Sequence, residues 1–145
     1  MGQVQDEEYL GGLSSGRMLK AGGIAGYGIY ATTKRLIGVK SRRALLKQLA
    51  GAPLGGMVGA ALGSRLSRDE SARVISDLEQ KKDFEVPRGN ISRIELKKPS
   101  FVHRGHLLIN TISGEPVKIL LADKGDFERL VQLMQAFRSD VVTVV

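Results

Sequence analysis

The two histidines, His103 and His106, are the residues best suited to metal binding or acid–base chemistry in a sequence that contains no cysteine. A spacing of three places them on opposite faces of a strand, although a turn at Arg104-Gly105 would bring them closer together. A zinc site needs further ligands, and no carboxylate is adjacent in sequence to either histidine. No Ser/His/Asp grouping and no carboxylate pair follows from the spacing of the other residues. The sequence therefore predicts a protein that is not an enzyme and that binds no metal and no cofactor.

The lack of cysteine and the acidic start of the chain bear on the cellular compartment. Without cysteine there is no disulfide framework, which fits a reducing environment. Asp6, Glu7 and Glu8 stand where a secretory signal would carry basic residues followed by an apolar run. We therefore expect a cytoplasmic protein, peripheral at the inner membrane face where it binds lipid.

The net charge of +7 is concentrated in residues 17–68. This segment holds ten of the 22 basic residues and no acidic one, so the rest of the chain has 12 basic against 15 acidic residues, a net of −3. Such a segment is either a solvated face or the docking site of an anionic partner, such as lipid headgroups. The candidate anion- or lipid-binding residues are Lys20, Lys34, Arg35, Lys40, Arg42, Arg43, Lys47, Arg65 and Arg68.

Four glycines, Gly51, Gly55, Gly59 and Gly63, recur every four residues. On a helix this spacing stacks them along one face, where another backbone can approach closely. The predicted helix-packing interface faces a second subunit, a membrane surface or the protein's own fold. The uncharged run over 49–64 has 16 residues, fewer than the ~20 of a membrane-spanning helix, so no transmembrane span is expected.

The elements that position these residues follow from hydrophobic periodicity. Residues 1–16 are polar and rich in glycine and serine at their end, which predicts a flexible lead-in. Between 17 and 40, aromatic and β-branched residues alternate around a polar Lys34-Arg35 connection, which predicts two strands.

A helical insertion over 41–83 interrupts this strand pattern. Ser67 and Glu70 match a capping box, and the apolar residues that follow have helical spacing, which together predict a helix over 68–82.

The last third of the sequence returns to strand patterns near 84–86, 91–97, 105–112 and 117–121. A second helix is predicted to begin at Asp123, a candidate N-cap. The tail over 139–145 is either a frayed end or a strand that pairs elsewhere. The apolar stripe of the second helix consists of Phe127, Leu130, Val131, Met134 and Phe137.

Three blocks of this pattern occur in the order found in a known family. Residues 28–39 resemble the "strand, Thr-x-Lys-Arg, strand" hairpin of prokaryotic pleckstrin-homology-like (PH-like) and GRAM-like domains. Residues 86–97 resemble the next block, in which a proline-led turn enters a strand. Residues 105–121, followed by 127–137, are similar to the final hairpin and capping helix of the family.

The resemblance implies a mainly β fold with helices, a curled antiparallel PH-like barrel of about seven strands capped by a C-terminal helix. It implies one domain over 17–138, with the helical insertion 41–83 as a departure from the family pattern. It also implies a role in binding or scaffolding and no catalysis.

These features together predict a binding module that self-associates and docks on an anionic membrane surface through residues 34–68. The alternative is a purely protein–protein scaffold or oligomerisation module, in which the glycine-rich helix is the interface. A nucleic-acid binder is the third class. It is disfavoured because aromatic residues make up only 5% of the chain and Tyr27 and Tyr30 fall on opposite faces of a strand.

Overall fold

A computed structural model describes residues 7–20, 24–39 and 68–145 of the chain. Within these ranges the secondary structure consists of eight strands, two α-helices and two short 3-10 turns. The strands are β1 (Tyr9–Lys20), β2 (Ile24–Thr32), β3 (Arg35–Val39), β4 (Phe84–Pro87), β5 (Ile91–Lys97), β6 (Gly105–Thr111), β7 (Val117–Leu121) and β8 (Val142–Val144). The helices are α1 (Arg68–Lys81) and α2 (Lys124–Arg138), and the 3-10 turns cover Arg88–Asn90 and Ser139–Val141.

The strands form one sheet in the order β4-β3-β2-β1-β7-β6-β5-β8, antiparallel throughout except for the parallel pair β5–β8. Two four-stranded halves meet where the end of β1 pairs with β7, through Leu19 opposite Leu120 and Lys20 opposite Ile119. A mainly β fold with a C-terminal helix is thus confirmed. The predicted barrel of about seven strands is wrong: the described ranges hold eight strands, and β4 and β8 lie at opposite ends of the order and do not pair there, so the sheet is not closed.

The hairpin of β2 and β3 forms where the alternating pattern predicts it. Its turn is closed by the buried Thr32, whose hydroxyl oxygen accepts hydrogen bonds from the backbone N–H groups of Lys34 (3.0 Å) and Arg35 (3.1 Å). A threonine hydroxyl in this position replaces a backbone acceptor and fixes the tight connection.

The main core lies between one face of the sheet and helix α2. The Asp123 carboxylate caps the helix by accepting a hydrogen bond from the Asp126 N–H at 3.1 Å, as the sequence predicts. The apolar stripe predicted for α2 packs against the sheet, together with Leu133, and Val131 is partly buried at the margin of this core. The helix is therefore stabilised mainly by burial of one apolar face.

A second, smaller core lies on the opposite face of β1 to β3, beneath helix α1. Leu78 of this helix is buried together with Tyr9, Tyr30 and Ile37. Tyr27 belongs to the main core, so the two tyrosines of β2 face opposite sides of the sheet, as predicted. Helix α1 covers the range predicted for it to within one residue.

The predicted flexible lead-in over 1–16 is in part a strand, because β1 begins at Tyr9 and pairs with β2. Its glycines serve packing: a side chain on Gly12 would place Cβ only 2.2 Å from the ring of Tyr30. At the other end of the chain, the tail over 139–145 pairs with β5 through β8, which is one of the two alternatives predicted for it.

Candidate functional site

The predicted anion-binding residues fall into two groups. The side chains of Lys20, Lys34 and Arg35 belong to the described part of the chain, and Arg68 is described only as the first residue of α1. The remaining predicted site residues lie outside the described residues: Lys40, Arg42, Arg43, Lys47, Arg65, Gly51, Gly55, Gly59 and Gly63.

Arg35 is surrounded by carboxylates of the same chain. Its guanidinium lies 2.9 Å from Glu7, 2.6 Å from Glu79 and 2.5 Å from Glu85, and its side chain is only 18% exposed. Partial burial lowers the pKa of Arg35, but the hydrogen bonds that its guanidinium donates to these carboxylates outweigh this effect and raise the pKa. Lys82 adds contacts to Glu79 and Glu85 at 2.7 and 3.1 Å. The charge of Arg35 is thus compensated internally, and its role is to join the segment before β1, strand β3, helix α1 and strand β4.

Lys20 is likewise held by the fold. Its ammonium group lies 3.2 Å from the Asp83 carboxylate and 5.5 Å from the centre of the Phe84 ring. The Tyr27 hydroxyl donates a hydrogen bond to the same carboxylate, and its ring stacks on Phe84 with the centroids 6.0 Å apart. Desolvation first, and then the hydrogen bond to Asp83, raise the pKa of Tyr27, so this hydroxyl remains a donor.

The three described candidates do not form one site. Lys34 is exposed in the β2–β3 turn, whereas Lys20 pairs with Ile24 at the other end of β2. A nine-residue strand spans about 26 Å between its first and last residue. The described basic residues of the predicted segment are therefore spread along the sheet.

A different feature stands out in the loop between β5 and β6. Phe101 is fully exposed and Val102 is 79% exposed, the two highest values for large apolar residues in the part of the chain that is described. We call residues 97–104 the docking loop. Hydrophobic periodicity does not single this loop out, because it falls in the connection between the strands predicted near 91–97 and 105–112.

The tip of the docking loop is a closed turn. The Ser100 N–H donates to the His103 carbonyl oxygen at 2.9 Å, and the His103 N–H donates to the Ser100 hydroxyl at 3.2 Å. These two hydrogen bonds close a four-residue turn from Ser100 to His103, in which Phe101 and Val102 are the two central residues. The turn thus presents both apolar side chains to solvent.

The stem of the docking loop is packed through Gly105. A Cβ on this glycine would lie 2.0 Å from the Lys97 carbonyl oxygen and 2.7 Å from the Pro99 nitrogen, both of them backbone atoms. Pro99 itself is buried. Because no flexible side chain fills this space, the backbone of the stem lies directly against Gly105, and only glycine fits there without displacing the loop.

The docking loop is also cationic. Lys97, Lys98 and Arg104 are exposed, and no acidic residue occurs between Glu95 and Glu115. The carboxylate of Glu95 contacts His106 on the neighbouring strand at 2.7 Å, and this hydrogen bond is the main cause of its lowered pKa. The three cations form no ion pair within the described ranges, unlike Arg35 and Lys20.

Several other types of site have no support in the described ranges. No group of three or more potential metal ligands occurs there. Tyr27 and Tyr30 are both buried, so neither ring is available for stacking on a base. None of the described helices is long and apolar enough to cross a membrane.

Comparison with known proteins finds no matching family model, no matching curated protein and no matching solved structure. Membership of the PH-like family stays a prediction that rests on the order of the three sequence blocks.

Proposed function

We propose that this chain is a non-enzymatic, PH-like binding module that docks on an anionic membrane surface through the docking loop. The observation that carries the proposal is the Phe101-Val102 pair, exposed on a hydrogen-bonded turn between uncompensated cations.

The energetics favour such a role. Burying a phenylalanine side chain is worth about 1.5–3 kcal/mol, which the solvent-exposed tip forgoes in water. A lysine or arginine close to an anionic bilayer contributes about 1 kcal/mol, and the docking loop has three. Stable peripheral binding generally needs two such signals, and this loop combines an apolar and a cationic one.

The proposal relocates the docking site predicted from the sequence. The predicted segment over 34–68 lies mostly outside the described residues, and its described cations Lys34 and Arg35 do not adjoin an exposed apolar side chain. Anionic lipids are concentrated in the cytoplasmic leaflet, so we place the module at the inner membrane face.

Vesicle co-sedimentation tests the apolar half of the proposal. We expect the protein to bind vesicles of phosphatidylcholine with phosphatidylserine, and to remain in the supernatant with phosphatidylcholine alone. Phe101→Ser should weaken binding by at least about tenfold, because it removes the inserting side chain. The matched control is Ile112→Ser, which removes a 70% exposed apolar side chain at the opposite end of β6. Equal losses in the two variants would contradict insertion of the tip.

The cationic half is tested with the double variant Lys98→Gln/Arg104→Gln. Loss of two charges should weaken binding by roughly 30-fold at low salt, and the loss should shrink as salt rises. Binding that is equal for neutral and acidic vesicles would overturn the electrostatic part. Failure of the wild-type protein to bind acidic vesicles at all would contradict the membrane proposal and favour the alternative, a protein–protein module.

A further inference from the structure

The edge strand β8 has a composition that edge strands usually avoid. It pairs with β5 on one side, and within the described ranges no strand pairs with its other side. Residues 141–145 read Val-Val-Thr-Val-Val, without charge, proline or glycine, and the side chains of Val144 and Val145 are half-exposed. Natural sheets protect their edges with charged residues, proline or bulges, because an open edge attracts another strand.

The opposite edge of the sheet, strand β4, has the protective residues that β8 lacks. Strand β4 contains Pro87, which has no N–H to donate, and Glu85, which is engaged by Arg35 and Lys82. The edge at β4 is therefore protected against pairing, whereas among the described residues the edge at β8 has no such protection apart from its short length.

The backbone register shows which groups of β8 face away from β5. The Val145 N–H donates to the Leu96 carbonyl oxygen at 2.9 Å, and Val144 lies opposite Leu96. In a parallel pair, every second residue directs both its N–H and its C=O to the neighbouring strand. The backbone groups of Thr143 therefore point to β5, as the N–H of Val145 does. The N–H and C=O groups of Val142 and Val144 consequently point away from the sheet.

We propose that a second copy of this chain pairs with β8 through its own β8, antiparallel and about a two-fold axis at Thr143. In this register Thr143 lies opposite the partner's Thr143, and Val142 lies opposite the partner's Val144. The outward N–H and C=O groups of these valines then exchange hydrogen bonds. The pairing is self-complementary, as a two-fold interface requires, and the absence of charged side chains in 141–145 avoids like-charge repulsion between the side chains of the two copies.

This dimer does not use the docking loop. Strand β8 runs parallel to β5, and the docking loop follows the end of β5. A two-fold axis reverses the direction of the second β8, so the two docking loops lie at opposite ends of the dimer. Dimerisation in the absence of vesicles is thus independent of the proposed function.

Disulfide trapping tests the register. Thr143→Cys introduces the sole cysteine of the chain, so any disulfide it forms joins two copies. Residues opposite each other in a non-hydrogen-bonded pair have Cα atoms about 4.5 Å apart, which is within disulfide range. We expect rapid formation of a covalent dimer under mild oxidation. Val144→Cys is the control, because the two introduced cysteines would be about 8.5 Å apart in this register. Trapping that is equally slow in both variants, or faster in Val144→Cys, overturns the proposed pairing.

Analytical ultracentrifugation tests the hydrogen bonds. Val144→Pro removes an outward donor at an edge position where proline is tolerated, whereas Val144→Thr keeps the N–H and the β-branched shape. We expect the wild-type chain and Val144→Thr to form a concentration-dependent dimer, and Val144→Pro to raise the dissociation constant by roughly 30-fold. A wild-type chain that remains monomeric at high concentration contradicts the proposal. If Val144→Pro does not fold, the disulfide-trapping experiment alone tests the register.

Discussion

The group of charges around Arg35 gives a sharp test of how this fold is held together. Replacing Arg35 by methionine keeps an unbranched apolar side chain in place of the aliphatic part but removes the guanidinium that contacts Glu7, Glu79 and Glu85. The matched control is Lys34→Met, which removes a neighbouring positive charge that is exposed and has no ion pair among the described residues.

The expected magnitude follows from the exposure of each partner. A hydrogen bond to a charged group contributes about 1.5–3 kcal/mol when shielded from water, and this range applies to the shielded contact of Arg35 with Glu7. Glu79 and Glu85 are 47% and 34% exposed, so their contacts are discounted to about 0–1 kcal/mol each. Arg35→Met should therefore lower the free energy of unfolding by about 3 kcal/mol at neutral pH. Lys34→Met should change it by no more than about 0.5 kcal/mol.

Urea unfolding followed by circular dichroism at several pH values measures both effects. A hydrogen bond from Lys82, and then one from Arg35, lower the pKa of Glu79. For Glu85, partial burial raises the pKa, but hydrogen bonds from Arg35 and Lys82 outweigh it and leave a lowered value. A carboxylate with a lowered pKa in the folded state stabilises the protein above its unfolded pKa, and this contribution is lost as the pH falls through the folded pKa. The difference between wild type and Arg35→Met should be constant near neutral pH and shrink below about pH 4. A difference that persists unchanged into acid, or an Arg35→Met variant as stable as Lys34→Met, would refute this reasoning.

Two further substitutions test the stem of the docking loop and the cap of α2. Gly105→Ala should destabilise the protein by at least about 2 kcal/mol and weaken binding to acidic vesicles, because its Cβ meets the Lys97 backbone; Gly89→Ala, with open space around it, should do neither. Asp123→Ala should lower the free energy of unfolding by about 1 kcal/mol, because it removes the N-cap, whereas Asp123→Asn should keep most of the stability. If urea or thermal unfolding shows that both variants lose the same stability, the capping role is contradicted.

Elements with strong periodicity are predictable from this sequence. Helix α2 has an N-cap and an apolar stripe of sufficient length, so local residues alone specify both its start and its buried face. The start of β1 is different, because Gly11 and Gly12 have no strand preference of their own. At Gly12 the rings of Tyr9 and Tyr30 occupy the space that a side chain would fill, so only glycine fits at this position of the strand. That requirement arises from residues distant in sequence, which periodicity within a window does not detect.

The docking loop was accessible to sequence reasoning only in part. An apolar pair, Phe101-Val102, within a basic connection is a visible signal in the sequence. Its exposure is not, because apolar residues of a loop commonly fold back onto the core. What holds this pair outward is the backbone contact at Gly105 together with the Ser100–His103 hydrogen bonds. The first is a tertiary contact and the second depends on the geometry of the turn, and the hydrophobicity pattern of the sequence specifies neither.

The distribution of charge supports a general point about basic sequences. Counting residues along the chain places the excess of positive charge in 17–68, far from acidic residues in sequence. In the folded chain, however, Arg35 and Lys20 lie against carboxylates contributed by α1 and the residues around it, at Glu79 and Asp83. The cations of the docking loop, by contrast, form no ion pair with any of the described residues. An excess of positive charge along a sequence therefore does not by itself locate uncompensated cations, because residues distant in sequence can supply the counter-charges.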